Sequence, residues 1–294
     1  MFSLVGGLLS EVLAEIVKPH IEVLIALLLF NTCLRVGPQQ ALGALNDIKA
    51  NLLFTLVLQV LLPVTLILIF WVANIRGALP LALILLTAAP AISGGPHLVA
   101  LLGFDPAPTL RQLIIGTLLL PLTIIPVLLL IPDIGGIESI IAVSARLLII
   151  ILCAGLSAFA VRHYFLPNPG RNELQEIDGV STLLLAIVVF GLMAAIHSEI
   201  ETNPLNLLTT LAVAVSANFG LQIITALILA SSRFSKYGVP IGLIAGNRNI
   251  ALFMTALAVT STQPILLFIA CYQIPMYLTP LVMGRFYRRL GAHP

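Results

Sequence analysis

The chain has 294 residues, of which 60% are hydrophobic and only 9% are charged. A mean hydropathy of +1.12 excludes a soluble globular domain and indicates a polytopic, all-α membrane protein. The formal net charge of +2 gives no indication of a nucleic-acid partner, and we expect none.

Apolar windows long enough to cross a hydrocarbon core of roughly 30 Å predict about nine transmembrane helices. They are expected at 21–36, 46–73, 77–103, 107–131, 136–163, 177–198, 203–231, 236–262 and 263–286. Residues 1–20 precede them and are predicted to form an amphipathic segment at the membrane interface. In this segment Glu11 and Glu15 lie one turn apart on an otherwise apolar helix. A tenth span is the alternative.

Basic residues divide unequally between the two sides of this arrangement. One side carries Arg35, Lys49, Arg111, Arg162, Arg171, Arg233, Lys236, Arg285, Arg288 and Arg289, and the other carries only Lys18 and Arg76. The positive-inside rule therefore predicts a cytoplasmic C-terminus and an external N-terminus, and we expect a bacterial inner (plasma) membrane protein. Cys33, Cys153 and Cys271 fall in separate apolar helices and are expected to be buried thiols, neither disulfides nor metal ligands.

Two predicted spans are each interrupted midway by glycine and polar residues. The interruptions are Ser93, Gly94, Gly95, Pro96 and His97 in the third span, and Gly246, Asn247, Arg248 and Asn249 in the eighth. Backbone that is not helical at this depth persists only where it is buried or lines a polar cavity. A matched pair of breaks indicates a transporter site at the interface of two repeats.

The order of helices around the breaks predicts an inverted repeat within one integrated membrane domain. Residues 21–131 form the first repeat, which lacks its first helix, and residues 136–289 form the second. In each half a long helix precedes the broken one and a proline-containing helix follows it. Such an arrangement allows alternating access, in which one bundle moves against the other.

The stretch TAAPAISGGPHLVALLGFDPAPTLRQLIIGTLLLPL (87–122) resembles the bile acid:sodium symporter superfamily through Ala89-Pro90, Phe104-Asp105 and Pro121. The second break, GLIAGNRNIALFMTALA (242–258), is similar to the family's Glu-x-Gly-x-Gln-Asn segment through Gly246 and Asn249. Upstream, Gln59 and Pro63 match a Gln-then-Pro helix of the family. The resemblance spans residues 20 to 289. It implies a core domain with two crossing broken helices, a panel domain that slides against it, and inward transport of amphipathic organic anions with sodium.

The sequence departs from the family where sodium would bind. The family's Ser-Asn pair falls on Gly95-Pro96, its glutamate on Ile244 and the adjacent glutamine on Arg248. One hydroxyl is kept as Thr109. A sodium site normally includes a carboxylate, so these changes argue against classical sodium symport. No other cofactor is expected.

The candidate substrate-binding residues are Arg248, Asn247, Asn249, Gly246, Ser93, Gly94, Gly95 and His97. Arg248 either binds a substrate carboxylate or sulfonate, or clamps exposed carbonyls of the opposite break, and both roles can coexist. The asparagines and glycines have a second interpretation, in which they cap the half-helices and permit a close crossing. Gln59, Thr109 and His97 are candidates for ion coupling, His97 through a proton.

A small organic anion is thus the expected substrate and the lipid bilayer the expected surroundings. A proton-coupled or exchange-type anion transporter of the same fold is the alternative. An intramembrane enzyme is a remote one, since Ser93 and His97 are the only conceivable nucleophile and base and no carboxylate is predicted beside them. We therefore expect no enzyme.

Overall fold

The computed structural model describes residues 11–131, 135–257 and 262–291. These residues form twelve α-helices and no β-strand. The helices are α1 (Glu11–Val17), α2 (Ile21–Gly43), α3 (Ile48–Leu56), α4 (Leu62–Val72), α5 (Ala78–Ala88), α6 (Gly95–Leu101), α7 (Ala107–Leu128), α8 (Ile137–Tyr164), α9 (Arg171–Thr202), α10 (Pro204–Ala230), α11 (Gly238–Gly246) and α12 (Leu266–Gly291). A π-helical turn, Val57–Leu61, joins α3 to α4, and a 3₁₀ turn, Ile250–Thr255, follows α11.

Within the described residues, seven helical segments are long and apolar enough to cross a membrane. They are Ala14–Gly43, Ile48–Val72, Ala107–Leu128, Ile137–Tyr164, Arg171–Thr202, Pro204–Ala230 and Leu266–Gly291. Large apolar side chains such as Trp71, Leu122 and Leu156 point outward, as lipid-facing residues do. The prediction of an all-α polytopic membrane protein is confirmed.

The two spans predicted to be broken consist of short helices. The first comprises α5 and α6, and the second comprises α11 and the 3₁₀ turn after it. Residues 258–261, near the end of the eighth predicted span (236–262), lie outside the described residues.

The first long helix begins earlier than the sequence indicated. Residues 11–20 are helical and continue into α2, so that the membrane-length segment starts at Ala14 rather than at residue 21. Val17 and Ile21 pack against Gly191 of α9, where an added Cβ would approach Val17 Cγ1 to 2.8 Å. This part of the predicted amphipathic segment is therefore packed into the bundle, while residues 1–10 lie outside the described residues.

Helix α2 packs against α8 and α9, and α10 packs against α11 and α12. The two groups meet where α9 contacts α12, and α7 contacts both α8 and α11. Cys271 is buried in this packing, as expected, but Cys153 is exposed on α8 and the prediction of a buried thiol is wrong there.

Two basic residues that are far apart in sequence converge on one acidic residue at one end of the bundle. Asp47 Oδ2 lies 3.2 Å from Arg111 Nη1 and 3.8 Å from Lys236 Nζ, and it accepts a 3.2 Å hydrogen bond from Tyr237. These pairs are partly exposed and contribute little stability. They do place Arg111 and Lys236 at the same end, as the predicted grouping of basic residues requires.

Candidate functional site

The two breaks contact each other directly. Ile92 N donates to Asn247 O at 3.1 Å, and Asn249 N donates to Pro90 O at 2.8 Å. Ala91 and Arg248 thereby form a single antiparallel bridge. Backbone groups that leave the helical pattern inside a membrane need partners, and each break supplies partners for the other.

Proline and glycine residues account for the local geometry of the first break. Helix α5 ends because Ala89 precedes Pro90 and adopts an extended conformation (φ −66°, ψ 152°), which a residue before proline favours. Helix α6 then restarts with Pro96 in its first turn, where the missing amide is tolerated. An added Cβ at Gly95 would lie 2.9 Å from Ile244 Cγ2, so glycine permits the close approach of α6 to α11.

Arg248 is 3% exposed and ties the two breaks together. Its Nε donates to Ala245 O at 3.0 Å, and its Nη1 donates to Ala89 O at 2.9 Å. The hydrogen bond to Ala89 O is the clamp on the opposite break, which is one of the two roles that the sequence analysis gave for Arg248. Nη2 is buried and has no hydrogen-bond partner among the described residues, so the guanidinium keeps unused donor capacity.

A buried polar network lies behind the second break. Gly246 O accepts hydrogen bonds from Asn218 Nδ2 and from the Tyr272 hydroxyl. Asn247 Oδ1 accepts from Thr279 Oγ1 at 3.2 Å and from Asn218 Nδ2 at 3.4 Å. Side-chain donors thus satisfy the carbonyl of Gly246, which α11 leaves free at its C-terminal end, and the side-chain oxygen of Asn247.

A cavity of about 750 Å³ lies against the other side of the crossing, between the breaks and helices α2, α9 and α12. Five predicted residues line it: Ser93, Gly94, His97, Arg248 and Asn249. Much of the remaining wall is apolar and includes Leu28, Leu98, Leu110, Leu185, Val188 and Met276. The arrangement combines a few polar groups with a large apolar surface, as small-molecule sites generally do.

The other predicted substrate-binding residues do not line this cavity. Asn247 is fully buried in the polar network, and an added Cβ at Gly246 would collide with the Asn218 carbonyl. Gly95 faces Ile244 instead. These three residues therefore occupy packing and capping positions. This agrees with the second interpretation of the asparagines and glycines given in the sequence analysis.

The candidate ion-coupling residues are not brought together. Gln59 lies on the π-helical turn, where its Oε1 accepts from Thr123 at 3.1 Å, and Thr109 donates to Pro240 O at 3.3 Å. Gln59 contacts α7 at Gly116, seven residues and roughly 10.5 Å along the helix from Thr109. Neither lines the cavity that contains His97.

Two charged residues that the sequence analysis missed complete the cavity. Arg35 Nε donates to Asp178 Oδ1 at 2.8 Å, and His97 Nε2 lies 3.7 Å from Asp178 Oδ2. This cluster joins α2, α9 and α6. Because α9 begins at Arg171 rather than at residue 177, Asp178 lies in its second turn instead of at the edge of a loop.

An intramembrane enzyme was considered remote partly because no carboxylate was predicted beside His97. The structure does place a carboxylate there, that of Asp178. The hydrogen bonds of the described residues nevertheless include none between Ser93 and His97, which a nucleophile and its base would need. With neutral histidine, the charges of Arg35, Arg248 and Asp178 sum to 2 − 1 = +1 among the described lining residues.

No protein-family model matches the chain, and no curated protein matches it. The fold defines an all-α polytopic membrane protein. The similarity to the symporter superfamily stays a resemblance based on motifs.

Proposed function

We propose that the protein is a secondary transporter that moves a small or amphipathic organic anion by alternating access. The observation that carries this proposal is the 750 Å³ cavity against the crossing of two broken helices. In secondary transporters, substrate sites typically lie where discontinuous helices meet near the middle of the membrane.

The proposed topology counts each broken helix as one span, which with the seven continuous segments makes nine. Residues 21–131 and 136–289 are then inverted repeats, and the basic end of the bundle is cytoplasmic. Helices α1, α2, α8 and α9 form the panel, and the remaining helices form the core. Arg35, Gln40 and Ala107 are among the residues that line the cavity, and in this proposal the cavity opens toward the basic end, as in an inward-facing state.

The charge of the cavity favours an anionic cargo. Arg248 contributes a guanidinium whose Nη2 has no partner in the described part of the chain, and the described lining residues carry a net charge of +1 when His97 is neutral. A carboxylate or sulfonate suits the planar donor fork of arginine. The apolar walls suit an aliphatic or ring-containing body. The arginine and the apolar walls together favour an amphipathic monoanion.

Sodium is not required to stabilise the second break in this proposal. The carbonyl oxygens of Ala245 and Gly246 already accept hydrogen bonds from Arg248, Asn218 and Tyr272. A cation competing for them would displace these donors and would experience the positive charge of Arg248 in a low-dielectric site. These contacts favour sodium-independent transport.

Proton coupling or exchange is the second candidate, and the 3.7 Å approach of His97 to Asp178 favours the proton. Protonation of His97 would raise the net charge of the cavity from +1 to +2 and strengthen the binding of an anion. Anion binding that tightens as the pH falls in wild type but not in His97→Gln would distinguish coupling from simple exchange.

Variants of Arg248 test the role of its charge. Purified protein is screened by thermal shift against aliphatic carboxylates, sulfonates and steroid conjugates. Both Arg248→Ala and Arg248→Lys are expected to lower the melting temperature without ligand, because the two carbonyl bonds are lost or reduced. Arg248→Lys retains part of the anion-induced shift, whereas Arg248→Ala loses it.

The matched control is Arg146→Ala. Arg146 also lies within a span and donates to a carbonyl, Ala256 O at 3.4 Å, but it does not line the cavity. The variant is expected to keep the anion-induced shift. An unchanged anion response in folded Arg248→Ala would contradict the proposal.

A further inference from the structure

A second buried arginine lies at the basic end of the bundle, away from the crossing. Arg162, in the last turn of α8, is only 8% exposed, and its buried Nη1 has no hydrogen-bond partner within the ranges that the structure describes. Its guanidinium lies against the kink of α2: an added Cβ at Gly37 would be 2.9 Å from Nη2 and 3.0 Å from Nε. Gly37 has φ +70° and precedes Pro38, so the helix is interrupted there.

This guanidinium has no counter-charge among the described residues, since none of their ion pairs includes Arg162. The nearby acidic residue of α9, Asp178, is paired with Arg35, which lies two residues before Gly37. A buried charge that lacks a partner is costly, and a second cation close in sequence increases the local positive potential. The site therefore favours an anion from outside the protein.

The surroundings of Arg162 are those of a membrane interface. Tyr164 and Phe165 follow it at the end of α8 and are 75% and 77% exposed. Arg171 begins the next helix and is also exposed. Exposed aromatic and basic residues at a helix end are typical of the headgroup region, and basic pockets between helices on the cytoplasmic side bind anionic headgroups.

We propose that Arg162 binds the phosphate of an anionic phospholipid, whose glycerol and upper acyl chains contact Tyr164 and Phe165. The guanidinium supplies donors to the phosphate oxygens, and the lipid supplies the charge that the protein lacks at this point. The lipid holds the kinked end of α2 against α8. This assignment concerns a structural lipid and is independent of the cargo of the cavity.

Native mass spectrometry of the purified full chain, mixed with equal amounts of phosphatidylglycerol and phosphatidylcholine, tests the proposal. Wild type is expected to retain phosphatidylglycerol preferentially, and Arg162→Gln is expected to reduce that preference about five-fold. Arg285→Gln is the matched control, because Arg285 is an exposed arginine at the same end of the bundle. It removes the same charge and should leave the preference unchanged.

A second measurement separates a lipid site from a phosphate site. Phosphatidylglycerol should raise the melting temperature of wild type in detergent, and millimolar inorganic phosphate should not. If Arg162→Gln does not fold, Arg162→Lys replaces it in the test. Lysine keeps the charge but lacks the planar guanidinium, so phosphatidylglycerol should raise the melting temperature of this variant less than that of wild type. Equal retention of the two lipids by wild type, an unchanged preference in the Arg162 variants, or an equal effect of inorganic phosphate would each overturn the proposal.

Discussion

Replacing Gly246 by alanine tests the packing that holds the second break in place. The new Cβ would collide with the Asn218 carbonyl oxygen and lie 2.5 Å from Gln222 Cγ, whereas carbon atoms normally pack roughly 3.5–4.0 Å apart. Helix α11 must therefore move away from α10 by about 1 Å or more. Overpacking costs about 1–3 kcal/mol. Weakening the bond from Asn218 to Gly246 O adds about 0.5–1.5 kcal/mol.

The expected loss in the free energy of unfolding is thus about 1.5–4.5 kcal/mol for Gly246→Ala. Gly220→Ala is the matched control on α10, because no atom lies within 4 Å of the added Cβ. It should gain about 0.5–1 kcal/mol, since glycine in a helix interior is less favourable than alanine. Melting temperatures and denaturant titrations of the detergent-purified proteins measure the difference. A Gly246→Ala variant as stable as Gly220→Ala would refute the close crossing.

Two further substitutions probe the network and the cavity. Tyr272→Phe removes one of two donors to Gly246 O at nearly constant side-chain volume. The free energy of unfolding, measured by the same titrations, should fall by about 0.5–1.5 kcal/mol. A loss below the error of measurement would contradict this hydrogen bond. Asp178→Asn frees Arg35 and raises the charge of the cavity from +1 to +2, so anion affinity should increase several-fold at low salt and less at high salt. Glu173→Gln, on the exposed surface of the same helix, should leave the Kd unchanged, and an equal gain in this control would point to a non-specific effect of charge.

The positions of the breaks could be predicted from sequence because glycine, proline and polar residues stand out in an apolar span. The clamp formed by Arg248 was also accessible, since a buried arginine needs acceptors and the opposite break exposes carbonyls. The resemblance to a family with crossing helices supplied the expectation that the breaks meet, and the bridge between Ala91 and Arg248 is that contact.

The direction that each side chain faces could not be predicted in the same way. Membrane helices are apolar all round, so they lack the polar stripe that reveals the buried face of a helix in a soluble protein. This explains why Cys153 was expected inside and why Gln59 and Thr109 were assigned to one site. Asp178 was missed because it stood at the first turn of the predicted span, 177–198, beside the loop, whereas α9 begins at Arg171.

The most direct test of the central claim is a thermal-shift screen of the purified protein against organic anions, in sodium buffer and in choline buffer. The proposed cavity and the occupied carbonyls at the second break predict that an amphipathic monoanion stabilises the protein equally in both buffers. Stabilisation that depends on sodium would contradict the sodium-independent mechanism. Stabilisation by organic cations, with no effect of any anion, would contradict the anionic cargo.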